Sequence, residues 1–364
     1  MTLEQASVTD STGSNASKLL AETAASFGRK LFQPHAIFRG GHAQTLAAYV
    51  WPRRFRFKQA AHSDEVRLFQ IESGIQLLAL CRWQSTPSKH ATIVLWHGME
   101  GSAESVYMLS SATKAFRAGF NVVRVNFRNC GGTEHLSPTF YHGGMSGDLR
   151  AVITELIITD KLTRIYPIGF SLGGNIVLKL AGEYAEDPPP EVIAVSAVSP
   201  SVDLRASTDS IIHRRNWIYH RNFVKNMKKR VRTKHRLFPG SVSIDKLSDV
   251  KTIRDFDEIY TASLHGFADA NDYYLLESSI RVANQIRIPT LVIHAKDDPF
   301  IPFTPLEEPG FRNNPFVLVI GTQQGGHVAF ISRKRVDEDR FWAENRAIEF
   351  CQIAETLNAT SESV

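Results

Sequence analysis

The sequence predicts an α/β fold built on a mostly parallel central sheet, and three features lead to that prediction. From about residue 65 onward, short β-branched segments alternate with longer segments of helical periodicity. Several of the short segments are apolar at consecutive positions, as expected for strands covered on both faces of a parallel sheet. The alternation stops between residues 202 and 287, which indicates a helical insertion between two sheet strands. In such folds ligands bind at the carboxyl ends of the strands.

The predicted elements follow one another in a regular order. A helix covers residues 17–27, and the Gly40-Gly41 pair marks a turn after it. The predicted strands are residues 75–82, 92–96, 122–126, 164–168, 192–196, 290–294 and 316–320. The predicted helices between and after them are residues 105–118, 147–159, 174–185 and 337–357.

These elements suggest a division of the chain into a core, an insertion and an N-terminal region. Residues 1–18 are rich in Ser, Thr and Asn and are predicted to form a disordered tail. The predicted units are an N-terminal segment at 19–64, a core in two parts at 65–201 and 288–357, and a helical cap at 202–287.

Composition excludes several classes of protein. The chain has 364 residues, of which 43% are hydrophobic and 22% charged, so disordered, collagen-like and coiled-coil chains are excluded. The mean hydropathy is -0.17, and no run of apolar residues is long enough for a membrane-spanning helix. Cys81, Cys130 and Cys351 fit neither a zinc site nor a disulfide framework. With no secretory signal at the N-terminus, these features predict a cytoplasmic protein, and they leave its oligomeric state open.

The positive charge of the chain is concentrated in one stretch of the predicted cap. Ten Lys and Arg residues and no acidic residue lie between Arg214 and Arg236, whereas the whole chain carries a net charge of +5. Trp, Tyr and Phe are interspersed with these cations. Three interpretations stay open: a solvated helix face, peripheral contact with an anionic membrane or an acidic substrate, and nucleic-acid binding. Nucleic acid is disfavoured because the rest of the chain offers no recognition motif.

The strongest local signal for chemistry is the pentapeptide Gly169-Phe170-Ser171-Leu172-Gly173, which matches G-x-S-x-G between a predicted strand and a predicted helix. A serine on such a turn is pushed out at the top of the sheet. The flanking glycines relieve crowding between the strand and the helix. Ser171 is therefore the candidate nucleophile.

A nucleophilic serine needs a base and a carboxylate that orients the base, and in this fold class they follow the serine in the order acid, then histidine. Asp297 and Asp298 follow the predicted strand at 290–294, and His327 follows the strand at 316–320 after two glycines. His327 is the candidate base. Asp298 is the favoured acid, with Asp297 kept as the alternative.

Two backbone N–H groups are also needed to bind the oxyanion. The N–H of Leu172, directly after the serine, is one candidate. The N–H of Met99, in the loop after the strand at 92–96, is the other. His97 in the same loop is interpreted as a structural histidine rather than a second base.

Taken together, these motifs resemble the α/β-hydrolase superfamily, and specifically its YheT-like branch. The early segment G-G-H-A-Q-T at residues 40–45 is the part specific to that branch. The other matching segments are H-G-M-E-G-S at 97–102, N-F-R-N-C-G-G-T at 126–133, G-D-L at 147–149, Y-T-A at 260–262, D-Y-Y at 272–274, D-D-P at 297–299 and G-H at 326–327. The match extends over about residues 34–355.

The resemblance implies an α/β-hydrolase fold and an esterase with a Ser-His-Asp triad, here Ser171, His327 and Asp298, that cleaves short- to medium-chain acyl esters or acylglycerols. Acyl transfer from acyl-CoA to an alcohol and thioester hydrolysis are the alternatives. A non-catalytic binding module is disfavoured because all three triad residues are present. No cofactor or metal is expected. Five aromatic residues of the cap could line an acyl pocket or belong to its core: Trp217, Tyr219, Phe223, Tyr273 and Tyr274.

Overall fold

A computed structural model describes residues 15–51 and 64–361 and places eight strands in one sheet of order β1-β2-β4-β3-β5-β6-β7-β8. Strand β2 runs antiparallel to both of its neighbours, and all the other neighbouring pairs are parallel. The strands are β1 Glu65–Glu72, β2 Ile75–Arg82, β3 Thr92–Trp96, β4 Asn121–Val125, β5 Ile165–Phe170, β6 Val195–Val198, β7 Thr290–Ala295 and β8 Val317–Thr322. The predicted mostly parallel sheet is confirmed.

Helices connect most of the parallel strands and cover both faces of the sheet. The helices are α1 Asn15–Arg29, α2 Gly41–Val50, α3 Val106–Arg117, α4 Ser146–Ile158, α5 Leu172–Tyr184, α6 Leu204–Ile212, α7 Trp217–Leu237, α8 Ile253–Phe256, α9 Ser263–His265, α10 Ala270–Glu277, α11 Pro309–Arg312 and α12 Trp342–Ser361. A π-helical segment, Asp257–Ala262, lies between α8 and α9. Among the described residues, no helix is both long and apolar enough to cross a membrane.

The hydrophobic core has two main parts, one on each face of the sheet. Val94 and Trp96 of β3 belong to the part covered by α4 and α5. Ile93 and Leu95 of the same strand belong to the part covered by α1, α3 and α12. Burial on both faces explains why the central strands are apolar at consecutive positions.

The segment between β6 and β7 is helical and has an apolar cluster of its own. Side chains from α6, α7, α8 and the π-helical segment form this cluster. Phe140, Phe300 and Ile301 join it from loops that follow core strands. The segment thus packs over the carboxyl ends of the strands. Its assignment as a separate cap domain, like the other domain limits, stays a prediction.

Three differences from the predicted elements have physical explanations. Strand β1 was not predicted. Val66 and Leu68 are apolar but exposed on this edge strand, so its sequence does not alternate regularly between apolar and polar residues. Helix α12 begins five residues later than predicted, because Ile331 and Phe341 first form an antiparallel bridge. Residues 1–14 of the predicted tail lie outside the described residues, and its last four residues belong to α1.

Candidate active site

Ser171 occupies the turn between β5 and α5 in a strained backbone conformation. Its φ is 54° and its ψ is -118°, a region that non-glycine residues rarely adopt. A Cβ on Gly169 would lie 2.2 Å from the carbonyl oxygen of Gly173, and a Cβ on Gly173 would lie 2.3 Å from that of His97. Glycine is therefore required on both sides of the serine, and the turn holds the Ser171 hydroxyl at the end of the sheet.

His327 connects Ser171 to Asp298 through two hydrogen-bonding contacts. The Nε2 atom of His327 lies 2.9 Å from Ser171 Oγ, and its Nδ1 atom lies 2.8 Å from Asp298 Oδ2. Because ionised Asp298 can only accept, His327 carries its proton on Nδ1, and Nε2 is free to accept the serine proton. The structure thus brings together three residues that are 29 and 156 positions apart in the chain.

Asp298 is held as a carboxylate although it is buried. Its second oxygen, Oδ1, accepts the N–H groups of Phe300 at 2.8 Å and Ile301 at 3.0 Å. Burial alone would raise the pKa of Asp298. The electrostatic interaction with His327, the hydrogen bond to it, the nearby His294 and the backbone N–H of Phe300 outweigh burial and lower that pKa below its ordinary value.

The neighbouring Asp297 has a different partner. Its Oδ1 atom accepts the N–H of Gly326 at 2.9 Å, so this carboxylate holds the backbone of the loop that carries His327. Burial raises the pKa of Asp297. Of the two aspartates considered from the sequence, only Asp298 contacts the imidazole of His327.

Met99 and Leu172, whose backbone N–H groups are the candidates for binding the oxyanion, both line the cavity in which Ser171 and His327 lie. No acceptor among the described residues takes either N–H. Gly98 allows the loop to approach closely, since a Cβ there would lie 2.9 Å from Ser171 Cβ. This arrangement suits the binding of a developing oxyanion.

His97 stabilises this loop through hydrogen bonds at both of its ring nitrogens. Its Nδ1–H donates to the carbonyl oxygen of Gly98 at 2.7 Å, and its Nε2 accepts the N–H of Phe127 at 3.0 Å. Both nitrogens are therefore occupied in the neutral form. Burial lowers the pKa of His97 to about 4. These contacts are those of a structural histidine.

Three side chains that the sequence motifs did not indicate hold the same loop. Glu100 has a positive φ of 59°, and its N–H donates to the hydroxyl of Tyr141 at 3.0 Å. The Tyr141 hydroxyl donates in turn to the Glu100 carboxylate, which also pairs with the largely buried Arg230 at 2.7 Å. Nothing in the sequence separated Arg230 from the nine other cations of its stretch.

A largely apolar cavity of about 130 Å³ opens at Ser171. Of the five aromatic residues considered from the sequence, Phe223, Tyr273 and Tyr274 line it. Trp217 does not line it and is 57% exposed, and Tyr219 packs on Phe300 instead. The apolar aliphatic, methionine and phenylalanine residues that line it are Ala48, Met99, Val106, Leu172, Leu204, Ile211, Phe223, Met227, Ile253, Phe256, Phe300, Ile301 and Val328.

A buried acid that was not predicted lies at the wall of the cavity. Asp257, on the π-helical segment, accepts hydrogen bonds from the hydroxyl groups of Thr261 and Tyr274, both at 2.7 Å. Burial raises its pKa to about 6. The Y-T-A and D-Y-Y segments of the resemblance therefore meet in one hydrogen-bonded group beside the cavity.

The basic stretch divides into two groups of side chains. Arg230 pairs with Glu100, and Lys234 is buried and donates to the backbone carbonyls of Glu134 and Ser137. The other eight cations of the ten lie outside the core, and no carboxylate of the described chain is within 4.0 Å of any of them. They are Arg214, Arg215, Arg221, Lys225, Lys228, Lys229, Arg232 and Arg236.

The mostly parallel sheet, the serine on its strand-to-helix turn and the comparisons below define an α/β-hydrolase of the carboxylic ester hydrolase class. Residues 91–334 match the model of the α/β hydrolase fold family. The chain is 31% identical over 320 residues to YheT of Escherichia coli strain K12, a candidate esterase by name, and the match covers 86% of this chain and 91% of YheT. The chain therefore belongs to the α/β-hydrolase family, in its YheT-like branch.

Two further comparisons extend this result. The mouse phospholipase ABHD3 is 27% identical over 245 residues, which cover 67% of this chain and 59% of the phospholipase. The esterase Pf2001 of Pyrococcus furiosus superposes with a TM-score of 0.54 at 18% identity, over 82% of this chain and 96% of Pf2001. The second likeness supports the fold alone.

Proposed function

We propose that the chain is a serine esterase that cleaves carboxylic esters through Ser171, His327 and Asp298 by way of an acyl-enzyme. The observation that carries the proposal is the continuous chain of contacts from Ser171 Oγ through the imidazole to buried Asp298. This is the relation of nucleophile, base and orienting acid that acyl transfer requires.

In the first half of the reaction, Ser171 Oγ attacks the ester carbonyl carbon while His327 Nε2 takes the serine proton. The carbonyl oxygen becomes an oxyanion, which the N–H groups of Met99 and Leu172 bind. The imidazolium is stabilised by the Asp298 carboxylate. The tetrahedral intermediate then collapses: the bond to the alcohol oxygen breaks, His327 gives its proton to that oxygen, and the alcohol leaves.

In the second half, a water molecule replaces the alcohol. His327 takes a proton from the water as the water oxygen attacks the acyl carbon, and a second oxyanion forms at the same N–H groups. When this intermediate collapses, the bond to Ser171 Oγ breaks and His327 returns the proton to the serine. The carboxylic acid leaves and the enzyme is restored.

The cavity supports short- to medium-chain acyl groups as the substrate class. Its lining is largely apolar, which suits an acyl chain rather than a sugar or a peptide. Its volume of about 130 Å³ is close to the ~150 Å³ of a cavity that holds one benzene molecule. A chain of about six carbons therefore fills it. The phospholipase among the relatives supports lipid esters as the natural source of such groups.

The test is hydrolysis of p-nitrophenyl esters from acetate to dodecanoate by the wild type and by Ser171→Ala. We expect activity that peaks at a short or medium chain and is lost in the variant. Ser196→Ala is the matched control, because Ser196 is a buried serine of β6 with no hydrogen-bond partner among the described residues. Equal activity in the wild type and Ser171→Ala would contradict the proposal.

The same series, run with ethanol or with acyl-CoA thioesters, separates the alternative reactions. Faster release of p-nitrophenol with ethanol, together with ethyl ester product, would identify an alcohol as the preferred acceptor. Preference for acyl-CoA over oxygen esters would identify a thioesterase. Hydrolysis of oxygen esters that is insensitive to ethanol supports the esterase.

We further propose that the outward face of α7 contacts anionic lipid surfaces. Six cations of α7, together with Arg214 and Arg215 just before it, lack a carboxylate partner among the described residues, and Trp217 and Ile218 are 57% and 64% exposed beside them. Exposed apolar side chains bordered by cations suit the headgroup region of a bilayer. Tyr219 of the same helix packs on Phe300, whose ring contacts His327 at 5.0 Å between centroids, so the first turn of α7 lies near the site.

A further inference from the structure

Helix α2 packs directly against the loop that carries His327, although about 280 residues separate the two in the chain. The helix follows Gly40, whose φ is 85°, and its first residues are the G-H-A-Q-T of the resemblance. The match to the α/β hydrolase fold family begins only at residue 91, so α2 lies outside it. The reaction described above uses none of the side chains of α2.

The first contact is made by the hydroxyl of Thr45, a residue that is 1% exposed. The hydroxyl donates its single proton to the carbonyl oxygen of Gly41 at 2.7 Å. It accepts the backbone N–H of His327 at 2.9 Å. Because its proton is already committed to Gly41, the oxygen presents lone pairs to His327 and acts there only as an acceptor.

The second contact is between backbones and requires glycine on both sides. A Cβ on Gly41 would lie 1.7 Å from the carbonyl oxygen of Asp297, the residue before the proposed triad acid. A Cβ on Gly326 would lie 2.5 Å from the carbonyl oxygen of Gly41 and 2.8 Å from Thr45 Oγ1. The first turn of α2 thus packs between the loop that carries Asp297 and Asp298 and the loop that carries His327.

The third contact fixes the far end of the histidine loop. Gln44 is fully buried, and its Oε1 accepts the N–H of Ile331 at 2.7 Å while its Nε2 donates to the carbonyl oxygen of Ile331 at 3.1 Å. Between the contacts of Thr45 and Gln44, Val328 and Phe330 have positive φ values of 58° and 42°. Strained residues of this kind persist only where their surroundings hold them in place.

We propose that α2 is a positioning element of the esterase site and that Thr45 sets the position of His327 against Ser171. This inference rests on the proposed function. Gly41, Gln44 and Thr45 do not line the cavity, so they act through the histidine loop and not on the substrate. Loss of the Thr45 acceptor leaves the His327 N–H unpaired and the loop free to shift, which lengthens the contact between Nε2 and Ser171 Oγ.

The test compares Thr45→Val, which removes the hydroxyl, with Thr45→Ser, which keeps it. Thr23→Val is the matched control. Thr23 is a fully buried helical threonine whose hydroxyl donates to the carbonyl oxygen four residues before it at 2.7 Å, as Thr45 does, but it lies on α1. The measurements are kcat and KM for a p-nitrophenyl ester, the rate at which a fluorophosphonate labels Ser171, and the melting temperature.

For Thr45→Val we expect kcat and the labelling rate to fall roughly 10- to 100-fold, because misplacement of a reacting group by about 1 Å costs that much. KM should stay within about twofold, because Thr45 does not line the cavity. Thr45→Ser should restore most of the rate. Thr23→Val should lower the melting temperature as Thr45→Val does, with kcat unchanged.

Two results would overturn the inference. One is a kcat of Thr45→Val equal to that of Thr23→Val at matched folded fraction, and the other is a Thr45→Ser variant as slow as Thr45→Val. Either result leaves the esterase proposal intact as long as the wild type turns over and Ser171→Ala does not. Failure of the proposed function is distinct, because the wild type itself would then neither turn over nor be labelled.

Discussion

Asp297 and Asp298, which are adjacent in the chain, hold adjacent residues of one loop through different groups. Asp298 accepts the Nδ1–H of His327 at 2.8 Å, and Asp297 accepts the backbone N–H of Gly326 at 2.9 Å. One carboxylate therefore faces the imidazole and the other faces the loop that presents it. Both should matter for activity, but for different reasons.

Asn variants separate the two functions. In Asp298→Asn an amide replaces the carboxylate, so the imidazole loses its anionic partner and is free to take the other tautomer. We expect kcat to fall about 10³- to 10⁴-fold. In Asp297→Asn the amide oxygen can still accept the N–H of Gly326, and we expect a loss of about tenfold or less. Steady-state kinetics on one p-nitrophenyl ester measures both, and a larger loss in Asp297→Asn would contradict the proposed triad.

The sequence alone could predict that Ser171, His327 and Asp298 meet, because each belongs to a local pattern. A serine between two glycines at a strand-to-helix junction, and an acid and a histidine each after a strand, are fixed by the strand order of an α/β sheet. The choice between Asp297 and Asp298 was harder, since both carboxylates follow the same strand. Only the direction of each side chain distinguishes them.

Contacts between distant segments were beyond the sequence. Nothing near Thr45 indicates that its hydroxyl meets the N–H of His327, and nothing in the basic stretch indicates that Glu100 is the partner of Arg230. The position of Arg230 within α7 explains its direction, because Arg230 follows buried Met227 by three residues and so lies on the buried side of the helix. Counting the cations of the stretch does not distinguish Arg230 from exposed Lys229.

Tyr141→Phe tests the support of the oxyanion loop. The variant keeps the ring but removes the hydroxyl that accepts the Glu100 N–H and donates to its carboxylate. Because Glu100 follows Met99 and has a positive φ, we expect the Met99 N–H to move and kcat to fall about tenfold, with KM within about twofold.

Tyr260→Phe is the matched control for this experiment. Tyr260 is also buried and its hydroxyl also contacts backbone, the carbonyl oxygen of Ser243 at 3.1 Å, but it does not line the cavity. Its kcat should match that of the wild type. Equal kinetics in the two variants would show that Tyr141 does not support the oxyanion loop.

Buried His97 should make the fold less stable in acid. Its pKa is about 4 in the folded chain against ~6.5 when unfolded, so between these values the unfolded chain binds more protons. The contribution of His97 is present above about pH 6.5 and is lost as the pH falls towards 4. Between pH 7 and pH 5 it should lower the free energy of unfolding by about 2 kcal/mol. Burial raises the pKa of Asp257 to about 6, which acts in the opposite direction.

Urea unfolding at pH 7 and pH 5 measures this effect. His97→Gln should be less stable than the wild type at pH 7, and the difference between the two proteins should shrink by about 2 kcal/mol at pH 5. The control is His135→Gln, at an exposed histidine, which should keep the pH dependence of the wild type. A constant difference between wild type and His97→Gln at the two pH values would contradict the prediction.

The outward face of α7 should determine binding to anionic lipid. Lys225, Lys229 and Arg232 follow one another at helical spacing on this face and are exposed. Each cation near an anionic membrane surface contributes about 1 kcal/mol, so the triple change to Gln should weaken binding to phosphatidylserine vesicles by about two orders of magnitude. Vesicle sedimentation at low salt measures this, and salt near 1 M should abolish wild-type binding.

The control removes the same amount of charge near the amino ends of the strands, away from α7. Lys89, Lys161 and Arg312 are exposed, precede β3, β5 and β8, and have no carboxylate within 4.0 Å among the described residues. Their change to Gln alters net charge equally but leaves α7 intact, so vesicle binding should persist. Equal loss in both triple variants would show that net charge alone attracts the protein to lipid.

Binding to duplex DNA without binding to vesicles would identify nucleic acid, and not a lipid surface, as the partner of α7. The phosphates of DNA bind cations and leave the exposed Trp217 and Ile218 without a role.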